Sequence, residues 1–249
     1  MTSDPNLSGR RIVITGAGRG LGRALSITAA DHGADVVLLG RNPPALHAVA
    51  DAIRLRTGRD SPVVPCDLAQ PESIKEACGV VLAAAPAIDV LVNNAAPWLP
   101  GNIAELAEAD IAATIAAAVT GTILVTKGLL PGLRQSSAAD IITIVSTAGW
   151  AGWDFDGASA AFHAAKHGQS GFSDALRHEL KDQAIRVAAI YPPDFDDTDP
   201  LEPDRHDAHG APARSKLTNH EVVATVLFAI SAPRCCAYPV IIMDNMRRQ

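Results

Sequence analysis

Apolar positions along this chain fall into two patterns. Short runs rich in β-branched residues stop at glycine or at polar turns, and longer stretches carry apolar residues at helical spacing. The first run, RIVIT at Arg11–Thr15, leads directly into Gly16-Ala17-Gly18-Arg19-Gly20-Leu21-Gly22. A helical stretch over 23–31 follows, closed by His32-Gly33, and a second strand over 35–39. Leu46, Val49 and Ile53 share one face of a helix over Pro43–Thr57. Further strands are expected over 61–65, 88–92, 141–145, 186–191 and 239–243. Further helices are expected from Gln70-Pro71-Glu72 onward and over 108–135, 158–182 and Asn219–Ser231. The 108–135 stretch is apolar on more than one face (Ile111, Ile115, Val119, Ile123, Val125), as in a helix that is buried or packed on another subunit. Strand and helix alternate throughout, which implies an α/β fold: a doubly wound parallel sheet with helices on both faces and ligands at the carboxyl strand ends.

Length and charge narrow the class. A chain of 249 residues suits one large domain, residues 1–249, with no repeat or linker to mark a second. A net charge of −6 disfavours nucleic acid and anionic membranes as partners. No apolar run is expected to reach the roughly 20 residues of a membrane span, and Met1-Thr2-Ser3-Asp4-Pro5 lacks a signal-peptide pattern, so a cytoplasmic protein is expected. Cys66, Cys78, Cys235 and Cys236 show no metal-ligand spacing and read as reduced thiols, so no metal is expected.

The glycine run lies between a strand and a helix. There it lets backbone approach a pyrophosphate at the helix N-terminus, where unpaired N–H groups and the helix dipole favour an anion. The second strand ends in Gly40-Arg41-Asn42, without the carboxylate that would hold a ribose 2′-hydroxyl. Arg41 and Arg19 can instead reach a 2′-phosphate, which favours NADP(H) over NAD(H). Asp67 ends the third strand and can bond an adenine amine or cap the next helix. Asn93 and Asn94 end the fourth and can tie neighbouring strands.

Downstream, Ser146 follows the fifth strand, and Phe162 and Lys166 stand four residues apart on a helix, hence on one face. With these residues in hand, the chain resembles the classical short-chain dehydrogenase/reductases over about residues 9–245. The marks are the glycine run from Thr15 to Gly22, Asp67, Asn93-Asn94-Ala95, Ser146 and Lys166. The resemblance implies a single-domain Rossmann fold, activity as a homodimer or homotetramer, and cofactor contacts at Gly16, Arg19, Gly20, Leu21, Arg41, Asn42, Asp67, Leu68, Asn93, Ala95, Lys166 and Pro192. It also implies a catalytic tetrad of Asn, Ser, Tyr and Lys. The tyrosine exchanges a proton with the substrate oxygen, the serine holds that oxygen, the lysine lowers the tyrosine pKa and binds ribose, and the asparagine holds a relay water.

Here the tyrosine position carries Phe162 and the asparagine position Ala118, while Pro192-Pro193 replaces the usual Pro-Gly. Phe162 admits three explanations. In the first, it replaces a natural tyrosine and so impairs an otherwise complete oxidoreductase that interconverts a carbonyl and an alcohol. Another group could donate the proton: Tyr191 at the end of the sixth strand, an acid of the downstream loop or, less suitably, His163, which points about 100° away from Phe162. Or the chain binds cofactor without chemistry, as a regulator or scaffold.

Residues 193–218 resemble the substrate lid of this family. Asp194, Asp196, Asp197, Asp199, Glu202 and Asp204 crowd it, which suggests a small polar, amine-bearing substrate of specialised metabolism, or simply a solvated acidic loop. Trp150, Trp153 and Tyr191 are further candidates for substrate contact.

Overall fold

The computed structural model describes residues 5–153, 157–197 and 216–245. Seven parallel strands form one sheet: β1 (Arg11–Thr15), β2 (Asp35–Gly40), β3 (Val63–Pro65), β4 (Val90–Asn93), β5 (Ala139–Ile144), β6 (Ile185–Tyr191) and, entered after two short strands, β9 (Val240–Ile242). Their spatial order is β3-β2-β1-β4-β5-β6-β9. From β1 the chain winds first toward β3 and then, from β4, the other way. The crevice between β1 and β4 is therefore the topological switch point where such sheets bind ligands. The short strands β7 (Phe195–Asp196) and β8 (Leu217–Thr218) pair with each other at the two ends of the lid segment. Residues 198–215, with Asp199, Glu202 and Asp204, lie outside the described residues.

Both sheet faces are covered, which is why the strands read as nearly continuous apolar runs. Ile12, Ile14, Val36, Leu38, Val90, Val92, Ile142 and Ile144 face one layer, made of α1 (Gly20–Asp31), α2 (Pro43–Thr57) and α7 (Asn219–Ser231). Val13, Val37, Leu39, Leu91, Ile141 and Val187 face the other, made of α3 (Pro71–Ala84), α5 (Thr122–Leu133) and α6 (Ala160–Glu179). Asn93 and Thr143 continue this second set and are register partners on β4 and β5, so two polar side chains sit where the core pattern calls for apolar ones.

The 108–135 stretch is more elaborate than its pattern implied. α4 (Glu108–Ile115), a π-helical turn (Ala116–Gly121) and α5 make one unbroken helix of 26 residues with an 18-residue stretch of mean hydropathy 1.7, long and apolar enough to cross a membrane. This corrects the expectation that no apolar run approaches that length. Here the helix packs on α3 and α6 within the domain and carries Glu108, Asp110 and Lys127. The π turn is a wide spot in the hydrogen-bond ladder, of the kind that recurs beside functional sites. It holds Ala118, which is buried.

At the amino end of the sheet, three arginines close on one carboxylate. Asp140 accepts from Arg10 at 2.7 Å, Arg186 at 2.6 Å and Arg234 at 3.0 Å, and is 2% exposed. The same guanidinium groups donate to carbonyls of Ala138, Ala139, Ile230, Ala232 and Cys236, joining β5 to the C-terminus of α7. Cys66 and Cys78 are buried thiols. Desolvation pushes them up to about 12 and about 11.

Candidate active site

The glycine turn stands at the switch point. Gly16 has φ 68°, and a methyl group at Gly22 would lie 2.2 Å from the Gly16 carbonyl oxygen, so the turn can close only without side chains there. Thr15 anchors it from below: the N–H groups of Asn94 and Ala95 donate to Thr15 Oγ1 at 3.0 and 3.1 Å, and Asn94 Nδ2 donates to the Thr15 carbonyl at 2.9 Å. Asn94 thus performs the strand tie, while Asn93 donates to Thr126 of α5 at 3.0 Å. α1 begins at Gly20 with no acid in its first turn and no side-chain cap from Arg19. Its first N–H groups therefore remain available to an anion.

Around this turn the other cofactor candidates are partly engaged. Asn42 caps α2, accepting from Ala45 N–H at 3.2 Å. Arg19 and Arg41 are exposed and form no ion pair among the described residues. Asp67 Oδ1 accepts from its own turn, Ala69 N–H, at 3.0 Å. Leu68 is buried against Gly121 of the π turn, and Leu21 is buried at the first turn of α1. Pro192 is buried and accepts from Thr147 N–H at 2.9 Å, which joins the end of β6 to the turn after Ser146. Asp197 departs from the expected pattern. Its Oδ2 would lie 2.7 Å from a methyl placed at Gly20, and its Oδ1 accepts from Asn219 at 3.0 Å. A carboxylate of the chain itself therefore stands beside the N-terminus of α1.

The end of the site that holds the candidate catalytic residues is built by β5 and α6. Ser146 has φ 139°, the only positive φ at a non-glycine residue among those described, a conformation that costs on the order of 1–3 kcal/mol. A short 3₁₀ turn, Thr147–Gly149, follows, and Ala148 N–H donates to Ser146 Oγ at 3.2 Å. That turn packs directly on α6, since a methyl at Gly149 would lie 2.7 Å from the Lys166 carbonyl oxygen. His163 Nδ1 bonds the Ala148 carbonyl at 3.0 Å. Because a carbonyl only accepts, Nδ1 carries the proton. His163 therefore braces the serine turn.

α6 starts at Ser159, whose side chain accepts from Phe162 N–H at 3.1 Å. Lys166 is 5% exposed and donates to the Ile144 carbonyl at 3.2 Å and to Gln169 Oε1 at 3.0 Å. Among the described residues no carboxylate stands beside it, and burial lowers its pKa to about 7. Its Nζ stands 5.6 Å from the Phe162 ring centroid.

The ring of Phe162 meets Trp98 edge-on at 4.8 Å. Leu99, Ala148 and Ala161 complete the buried part of this apolar wall. Trp98 is 50% exposed and was not among the expected contacts. A backbone bridge brings it there: Pro100 pairs with Ala158, and Ser159 N–H donates to the Leu99 carbonyl at 3.1 Å. The position of Trp98 just past Asn93-Asn94-Ala95 was the available signal.

Tyr191 is displaced as a donor. It is fully buried at the end of β6, and its hydroxyl bonds Ser170 at 2.8 Å, two helical turns past Phe162. Trp150 packs edge-on against the Tyr191 ring at 5.2 Å and so supports the end of β6, while the Trp153 N–H donates to the Trp150 carbonyl at 3.2 Å. Asp194 pairs with Lys216, and Asp196 is exposed on β7.

A glycine turn at the switch point of a doubly wound sheet, with a serine and a lysine at the next crevice, defines a dinucleotide-binding α/β protein. The short chain dehydrogenase family profile matches residues 10–209, and the chain belongs to that family. An uncharacterised oxidoreductase of Staphylococcus aureus (strain USA300) is 27% identical over 229 residues, 92% of this chain and 94% of the relative. Dehydrogenase/reductase SDR family member 7B of Rattus norvegicus is 33% identical over 186 residues, 73% of this chain and 56% of the relative. Among solved structures, a metagenomic short-chain oxidoreductase in complex with NADP superposes with a TM-score of 0.80 at 26% identity, covering 98% of this chain and 100% of that one. A short chain dehydrogenase of Escherichia coli CFT073 complexed with NADPH superposes with a TM-score of 0.82 at 24% identity, covering 97% and 99%.

Proposed function

We propose that this chain is an NADP(H)-linked oxidoreductase that interconverts a carbonyl and an alcohol on a small molecule. The observation that carries this reading is the convergence of Ser146 and Lys166, from β5 and α6, at the carboxyl end of the sheet that also holds the glycine turn. The cofactor cradle fits a dinucleotide on its own terms: Gly22 closes the turn, α1 is uncapped, and β2 ends without an acid. Arg41 and Arg19 are the groups to receive a 2′-phosphate, and the NADP and NADPH complexes of the structural neighbours support that choice. When bound, the cofactor supplies or accepts the hydride.

The residues of this chain then divide the remaining work. Ser146 Oγ, held in a strained turn, polarises the substrate oxygen. Lys166 binds the ribose side of the cofactor. Phe162 keeps the ring of the expected acid without its hydroxyl, so the chain retains a shaped wall and loses the proton donor. A positioned general acid is worth about 10²–10⁴ in rate, so this form is a slow enzyme. The substrate packs a flat apolar face against Trp98 and Phe162. A preference for an amine rests on Asp196 and Asp197 among the described lid acids, because Asp194 is paired with Lys216, whereas Asn219 hydrogen-bonds Asp197 and leaves its charge. The long apolar helix, with Ile123 on its outer side, supports a homodimer or homotetramer.

A second reading, a cofactor-binding regulator without chemistry, is favoured by one observation: Phe162 and Ala118 both place hydrocarbon where the family's proton path runs. The test is NADPH binding and NADPH oxidation, in this protein and in Phe162→Tyr, with a panel of aromatic, aliphatic and amine-bearing ketones and aldehydes. Binding with activity gained in Phe162→Tyr supports the oxidoreductase. Tight binding with no turnover in either protein supports the regulator.

A further inference from the structure

The lysine of this site is held by a side chain that lies outside the expected tetrad. Gln169 is 1% exposed and sits three residues past Lys166 on α6. An ammonium only donates, so the amide oxygen must face Lys166 and the amide nitrogen must face away. That nitrogen donates to Thr122 Oγ1 at 3.2 Å. Thr122 opens α5 immediately after the π turn and stands one helical turn past Ala118. Gln169 thus spans from α6 to the helix on which the asparagine is missing, in a seam where Lys166, Gln169 and Thr122 are all buried.

The bonding of Lys166 Nζ follows from counting its substituents. An ammonium has three N–H groups, and two of them are directed to the Ile144 carbonyl and to Gln169 Oε1. A neutral amine has two N–H groups and a lone pair, and the same two acceptors satisfy both N–H groups. In either protonation state one position remains, a proton in the first and a lone pair in the second. Among the described residues nothing else bonds it. Neither acceptor carries charge, and among the described residues no charged group offsets the burial of the lysine.

We propose that Gln169 is the positioning residue of Lys166: together with the Ile144 carbonyl it clamps two of the three Nζ positions, so that the proton the lysine holds or releases is confined to the one position a ligand can reach. This role takes over, by a direct bond from α6, the support that position 118 does not provide. It rests on the reading that Lys166 works at the dinucleotide site, and its consequence is that Gln169 governs when that lysine is charged.

The chain has five lysines (Lys75, Lys127, Lys166, Lys181 and Lys216), few enough for each to be followed by NMR in full-length protein labelled at the lysine ε carbons, with Lys166→Met assigning the signal. The wild-type Lys166 signal is expected to titrate near 7. Gln169→Leu removes an acceptor of the charged form and moves the midpoint down by about one unit or more. Gln169→Glu sets a carboxylate there and moves it up by about one unit or more. Unmoved midpoints in both variants, within about 0.3 unit, overturn the proposal. In a second arm, NADPH and NADH are titrated by fluorescence at pH 7. Gln169→Leu weakens both about fivefold, because a midpoint lowered by about one unit from about 7 cuts the charged fraction of Lys166 at pH 7 from about one half to about one tenth, and Gln169→Glu restores binding. Unchanged affinity in Gln169→Leu also overturns the proposal. If the wild type binds neither dinucleotide, the cofactor reading fails, and the NMR arm still decides whether Gln169 holds the lysine.

Discussion

The ammonium nitrogen of Lys166 lies 5.6 Å from the centroid of the Phe162 ring, one helical turn away on the same face of α6. Under the proposed function, this pair sets the lysine beside the place of an aromatic acid whose hydroxyl Phe162 lacks. Phe162→Tyr adds one oxygen beside this lysine, at a ring already fixed by Trp98. We expect the rate of NADPH-dependent carbonyl reduction to rise by about 10²–10⁴, with fold and melting temperature little changed. A rise below tenfold with every carbonyl tried would show that the hydroxyl absent from Phe162 does not limit the rate.

Lys166 also makes stability depend on pH. Its pKa falls from 10.5 in the unfolded chain to about 7 in the fold. Between these values the unfolded state binds more protons, so this group's contribution to stability rises with pH across the window and is flat below it. Lys166→Met abolishes that slope, which is at most about 1.4 kcal/mol per pH unit. Urea denaturation of both proteins at pH 7 and pH 9 measures it. Cys66 and Cys78 act in the opposite direction above their ordinary range and cancel in the difference. Equal slopes in the two proteins would show that Lys166 is not desolvated.

In the proposed cofactor site, the exposed Arg41 and Arg19 are the groups that receive the 2′-phosphate. Arg41→Ala is expected to weaken NADPH by about tenfold or more, the range for a lost hydrogen bond to a charged group, and to leave NADH unchanged. Parallel losses for the two cofactors would place the 2′-phosphate elsewhere.

Asp197 stands beside Gly20, where a pyrophosphate would need the same helix N-terminus. Two anions there repel, so Asp197→Asn is expected to tighten NADPH binding by about three- to tenfold at low salt, with less effect at high salt. The neutral amide keeps a hydrogen-bonding partner for Asn219. Weaker binding in Asp197→Asn would mean that the carboxylate assists the cofactor.

Asp140 answers three arginines while 2% exposed. Asp140→Ala leaves three guanidinium groups without their counter-ion and is expected to cost about 3–5 kcal/mol of stability. This is measurable by chemical denaturation, with NADPH affinity of the folded fraction unchanged because the cluster lies at the far end of the sheet.

How much of this was legible in advance followed from range. The alternation of short β-branched runs with helical spacing determined the doubly wound sheet, since each element's period is local and both faces must be covered. Glycine at 16 and 22 is likewise readable, because a turn without side chains leads straight from β1 into α1. The spacing of Phe162 and Lys166 is readable because α6 puts i and i+4 on one face. Tertiary structure alone decided the rest. Tyr191 looked available at the end of β6, but only packing against α6 directs its hydroxyl to Ser170. The lid acids looked like a cationic subsite, but Lys216 and Asn219 engage two of them from the far end of the segment. Trp98 reaches Phe162 through a bridge between Pro100 and Ala158, and Gln169 reaches Thr122 across 47 residues. Hydrogen bonds and ring contacts between distant segments leave no periodic trace in the chain. The sequence therefore determined the sheet and its glycine turn, and only the folded structure decided which neighbours hold Lys166.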